Sequence, residues 1–112
     1  MSGDIGATFA ALADPGRRRM LGLLGPGQTA TATELARQLP ITRHAVAKHL
    51  ATLQAAGLVE AHREGRETRY TLTPAPLGEA VDWLAETGAQ WDERLARLAA
   101  RAARDADSGI LR

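Results

Sequence analysis

Apolar residues come in short runs with clear stops in the first part of the chain, and in one long periodic series in the last part. Met20, Leu21, Leu23 and Leu24 give an apolar side to a helix that Asp14-Pro15 opens and Gly25-Pro26-Gly27 stops. Asp is a favoured cap, and Pro at the first helical position loses no needed hydrogen bond. Upstream, Phe9 and Leu12 stand three apart and predict a short helix over Thr8–Ala13. Thr31 and Glu34 have the spacing of a capping box, with Thr33 as a competing cap. They predict a two-turn helix to Leu39, ended by Pro40. Thr42 caps a further helix to about Ala56, and Gly57 is a natural stop.

The pattern then changes period. Leu58–Glu64 and Glu67–Thr73 predict two strands around Gly65-Arg66, with Tyr70 and Leu72 alternating with Arg69 and Thr71. Gly65 can take the positive φ of a tight hairpin. Pro74 and Pro76 mark a joint, and a long helix is predicted from Leu77 to about Arg104. The tail "DADSGILR" is expected to fray. Along the long helix, Leu77, Val81, Leu84, Gly88, Trp91, Leu95, Leu98 and Ala102 alternate in steps of four and three. That is a heptad seam.

This order reads as a mostly α fold with a small β-hairpin: a winged helix-turn-helix, dimeric through its terminal helices. Residues 1–76 form the core and residues 77–112 a dimerisation helix, within one domain of 112 residues. The seam is assigned to a subunit interface, because the short upstream elements offer too little surface to cover so long a helix. Phe9 and Leu12 complete the apolar set assigned to that interface. The alternative is a seam packed within one chain against those two residues.

Composition narrows the class. Hydrophobic residues make up 45% and charged residues 24%, which excludes a disordered chain. There is no cysteine, so disulfides and thiolate metal sites are excluded. No targeting segment or apolar run of membrane-spanning length is visible, so a soluble cytoplasmic protein is expected. The net charge of +1 hides an asymmetry: residues 1–72 hold nine Lys/Arg against six Asp/Glu, and residues 73–112 hold five against seven. Basic charge gathers where the helix-turn-helix lies, a weak pointer to nucleic acid.

The chemistry concentrates in "ITRHAVAKHL", residues 41–50. On a helical wheel, Val46, Leu50 and Leu53 fall within about 60° and form the buried stripe. Upstream, Leu35, Ala36, Leu39 and Ile41 supply the facing apolar positions. His44, Ala47, Lys48 and Ala51 fall on the opposite side, and Arg43 can reach forward from the first turn. Thr42–Ala56 contains no acid, unlike an ordinary solvated helix face. Small Ala47 and Ala51 would let the backbone approach a groove, while Arg43, His44 and Lys48 reach base edges or phosphates. A metal site fails on geometry: His44 and His49 are five apart and point about 140° from each other. His49, at the edge of the stripe, is either structural or a phosphate contact. In "HREGRETRY", Arg63, Arg66 and Arg69 surround the hairpin turn and suit a minor groove or phosphates, or else pair with Glu64 and Glu67. Arg17, Arg18 and Arg19 point in three directions and form no patch.

The stretches "ALADPGRRRMLGLL", "TELARQLPITRHAVAKHLATLQAAGLVEAHREGRETRYTLTPAPL" and "WLAETGAQWDERLARL" resemble the ArsR-type winged-helix transcriptional regulators, most of all the branch without a metal site. The resemblance covers about residues 7–100. It implies a homodimeric repressor that binds double-stranded DNA at a palindromic operator near its own promoter. It puts recognition-helix contacts on Thr42, Arg43, His44, Ala47 and Lys48, and the wing contact on Arg66. The position of Ala47 is commonly serine in such helices, and that hydroxyl is absent here. Metal-sensing members carry cysteines in the recognition region or Asp/His pairs in the last helix. "TELARQL" has no cysteine and residues 74–112 no histidine, so no metal or cofactor is expected.

No phosphate-binding glycine loop, nucleophile–base pair or carboxylate pair suggests an enzyme. The expected function is sequence-specific DNA binding. The alternatives are a metal- or ligand-responsive sensor of the same fold, and a winged-helix protein-interaction module that does not bind DNA.

Overall fold

Side-chain caps start four of the five helices in the computed structural model, which describes residues 4–107. Asp4 accepts the Gly6 N–H and starts α1, Ile5–Leu12. Asp14 accepts the Arg17 N–H at 3.0 Å and starts α2, Pro15–Leu23. After β1, Thr29–Ala30, Thr31 and Glu34 form a reciprocal capping box on α3, Ala32–Ala36. Thr42 accepts the Ala45 N–H at 3.1 Å and starts α4, Arg43–Ala55. Strands β2, Val59–Glu64, and β3, Glu67–Leu72, follow, and then α5, Ala75–Asp107.

The end of α4 is equally local. Gly57 takes φ 77°, its N–H donates to Gln54 O, and the Leu58 N–H donates back to Leu53 O at 2.9 Å. This double closure leaves Leu53 and Leu58 in contact range, and both are fully buried. The hairpin turn has Gly65 at φ 62° while Arg66 keeps a negative φ, the pattern of a two-residue turn with glycine first.

Three departures from the sequence reading have physical causes. The sheet has three antiparallel strands in the order β1-β3-β2, with Thr29 opposite Thr71 and Ala30 opposite Tyr70. A two-residue strand is too short to alternate, so its residues give no sign of it. Helix α3 stops at Ala36 rather than Leu39, because the Gln38 N–H turns to Leu35 O, three residues back, ahead of Pro40. Helix α5 begins at Ala75, with Pro76 inside its first turn, where its missing N–H is no loss. The residues beyond Asp107, which include most of the expected frayed tail, lie outside the described ones.

The chain divides into two units after Ala80. In the first, Met20, Leu24, Leu35, Val46, Leu50, Leu53 and Leu58 are fully buried. Leu12, Leu39, Ile41, Tyr70, Leu72 and Leu77 pack around them. This core joins the helix-turn-helix to the base of the wing. The second unit is the helical segment after Ala80. There Leu84, Trp91, Leu95 and Leu98 are each more than half exposed. No helix among the described residues is long and apolar enough to cross a membrane.

Candidate nucleic-acid interface

Burying Val46, Leu50 and Leu53 turns the other side of α4 outward. Thr42, Arg43, His44, Ala47, Lys48 and Ala51 are all exposed. Thr42 also fixes the N-terminal turn of α4, whose free N–H groups favour an anion. Arg43 and Ala47 form one wall of a cleft of about 600 Å³. Arg37, from the turn after α3, lies on the same side, and Arg63 and Arg66 of the wing line the other. Among the described residues Arg37, Arg43 and Arg66 enter no ion pair. Arg63 donates from Nε to the Gly65 carbonyl oxygen at 3.0 Å, which ties it to the wing turn.

The two acids in the cleft are already engaged. Arg69 Nη2 lies 3.0 Å from Glu34 Oε1, and Arg69 Nη1 lies 3.5 Å from Glu67 Oε2. Arg37, Arg43, Arg63, Arg66 and the shared Arg69 outnumber these two acids, so the cleft keeps a net positive charge. Bonding from the Thr31 backbone N–H, aided by the Arg69 charge, holds the Glu34 carboxyl below the usual carboxylate range.

Behind α4 lies a second polar cluster. His49 Nε2 is 3.8 Å from Asp14 Oδ2, and its Nδ1 is 3.4 Å from Arg17 Nη1. Arg17 also donates to the carbonyl oxygens of Ala11 and Ala10, and Arg18 to that of Leu12. These carbonyls close the last turn of α1, where the Ala10 oxygen also accepts the Ala13 N–H, so the two arginines cap that helix. The Arg17 N–H, followed by the charges of His49 and Arg17, keeps Asp14 below its ordinary range.

Comparison with known proteins agrees with this geometry. A family model described as a helix-turn-helix domain matches residues 12–62. HTH-type transcriptional regulator CmtR of Mycobacterium tuberculosis is 40% identical over 98 residues, covering 83% of this chain and 78% of that protein. Transcriptional repressor SdpR of Bacillus subtilis is 33% identical over 76 residues, covering 68% and 83%. Among solved structures, an ArsR-like transcriptional regulator from Rhodococcus sp. RHA1 matches with a TM-score of 0.74 at 45% identity, covering 84% of this chain and 88% of that one. The chain belongs to the ArsR family of winged helix-turn-helix regulators.

This ArsR-family protein is a DNA-binding transcriptional regulator. Of the residues singled out in its sequence, the structure gathers Arg43, Ala47, Arg63 and Arg66 around one cleft, with Thr42, His44 and Lys48 exposed on the same helix. It places two others elsewhere. His49 faces α2, and Arg69 turns onto Glu34 and Thr29. Arg37 joins the cleft although the sequence reading passes over it. Its position depends on α3 ending early, which the pattern does not announce. Leu77, first in the expected heptad seam, packs against the core of its own unit, whereas Val81, Leu84, Trp91, Leu95 and Leu98 are exposed. Gly88 has nothing within 4 Å of where a Cβ would stand.

Proposed function

We propose that the regulator is a cytoplasmic homodimeric repressor that occupies an inverted-repeat operator beside its own promoter and acts by occlusion. Arg43 and His44 read base edges in the major groove, and Thr42 and Lys48 hold phosphates. Ala47 and Ala51 let α4 approach the groove floor. Arg63 and Arg66 of the wing contact the minor groove or the backbone, and Arg37 joins them at the phosphates. His49 and Arg69 support this surface from behind. No catalytic role is proposed.

One observation carries the reading. The exposed face of α4 holds cations and no acid, and the two neighbouring acids, which share Arg69, are outnumbered by the arginines of the cleft. An excess of arginines on both sides of an open cleft suits a phosphate strand. The dimer is supported by the exposed apolar series on α5, which is larger than scattered surface residues account for. Two α4 helices related by a two-fold axis meet half-sites about one DNA turn apart, hence the inverted repeat.

A gel shift with the DNA upstream of the gene, with nonspecific competitor and at two salt concentrations, tests this. A specific complex that weakens with salt is expected. Equal retention of upstream and random DNA would contradict operator recognition. No retention of either would favour a protein-interaction module.

A further inference from the structure

Arg69 ties three elements together through one side chain. From β3 its Nε donates to Thr29 Oγ1 at 2.9 Å, and Nη2 faces the Thr29 carbonyl oxygen at 3.3 Å. The same Nη2 donates to Glu34 Oε1 at 3.0 Å. That oxygen also accepts the Thr31 N–H, so the cap of α3 and the wing share one atom. The Arg69 side chain is only 21% exposed, so water screens it less than a free surface charge.

The place of this contact matters. The ladder between β1 and β3 ends at the pair Ala30–Tyr70. Beyond it, residues 62–69 run out as a hairpin with no third strand, and an isolated hairpin is marginal in water. Arg69 is the first residue past that ladder. Its guanidinium continues the attachment of β3 to the helix-turn-helix where backbone pairing stops.

We infer that Arg69 and Glu34 are positioning residues for DNA binding: their ion pair fixes the wing against α3 and sets the cleft that receives one sugar-phosphate strand. This rests on the DNA contacts proposed above. On one side stand Arg37 and Arg43, on the other Arg63 and Arg66. If the wing swings, the wing cations no longer meet the strand that α4 engages.

The sign of one substitution separates this role from a direct contact. Glu34→Gln removes a negative charge beside the phosphate path, so on charge alone it should tighten binding. If Arg69 itself touched phosphate, freeing it from Glu34 would tighten binding further. As a positioning pair the expectation is the opposite. Gln still caps α3 but turns a charge-assisted bond into a neutral one, so Glu34→Gln should weaken binding about fivefold. Arg69→Gln should weaken it at least as much, and the double variant no more than Arg69→Gln alone.

The experiment measures affinity of the full chain for upstream DNA by fluorescence anisotropy across salt, with circular dichroism melts to follow folding. Wild type, Glu34→Gln and Arg69→Lys are each compared with and without Arg66→Ala. The loss from Arg66→Ala should shrink in the Glu34→Gln background, which a general loss of stability would not produce. Arg69→Lys, which keeps the charge but not the planar fork, should retain part of the Arg66→Ala loss. Glu34→Gln binding as tightly as wild type, with the Arg66→Ala loss intact, overturns the positioning role alone. A wild-type protein that binds no DNA overturns the DNA reading and this inference with it.

Discussion

Nε2 of His49, on α4, lies 3.8 Å from Oδ2 of Asp14, the N-cap of α2. Helix α4 thereby meets the capped start of α2 on the side away from the cleft. Removing Asp14 takes away both the cap and this contact. Asp14→Ala should lower the melting temperature by a few degrees, read by circular dichroism. His49→Ala should lower DNA affinity far less than Arg43→Ala does. Equal losses in the two variants would place His49 on the phosphates instead.

Acid should weaken the fold through Asp14 and Glu34. Both carboxyls are held below their usual range in the folded chain, chiefly by backbone N–H donors from Arg17 and Thr31. The unfolded chain therefore takes up these protons first as pH falls. Their contribution is complete above the ordinary carboxylate range and fades as pH drops through that range to the depressed folded values. The urea midpoint should be level from neutrality down to about pH 5 and then decline. In the Asp14→Asn, Glu34→Gln double variant the decline should be shallower. An unchanged acid limb would mean that other groups govern it.

What the sequence made legible and what it hid divide by distance along the chain. Thr42, Asp14 and the Thr31/Glu34 box act on backbone groups three residues away, so residue type and spacing suffice. The same holds for Gly57 and for the buried stripe of α4. Arg69 and Glu34 are 35 positions apart, and Arg17 and His49 are 32 apart. Those pairs exist only because the sheet and the helix stack bring them together. Arg69 alternates along its strand like a solvated or DNA-facing arginine, and nothing local announces its partner on α3. The exposed face of α4 was legible because its composition is one-sided. The cleft was not, because its outer wall depends on how β3 docks on β1.

The exposed series on α5 should hold two chains together. Wild type should sediment as a dimer at micromolar concentration. Leu84→Glu combined with Leu95→Glu sets charges on two of its exposed leucines and should give monomers. Operator binding should then fall much more than binding to random DNA, because only the former needs two half-sites. A monomeric wild type would remove both the dimer and the inverted repeat.

Metal should not control the regulator. Among the described residues, no three His, Cys, Asp or Glu side chains are grouped so as to hold an ion. Dialysis against a chelator should leave operator affinity unaltered. A metal ion that binds tightly and releases DNA would refute this expectation.

If the N-terminal half of α4 reads sequence, a footprint should show it. Wild type should protect an inverted repeat in the DNA upstream of its gene. Arg43→Ala and His44→Ala should each cost roughly 1–3 kcal/mol at that site and relax specificity there. The double variant should lose the footprint while keeping salt-sensitive binding to random DNA. A double variant that protects the same bases at the same concentration would mean that α4 does not read sequence through Arg43 and His44.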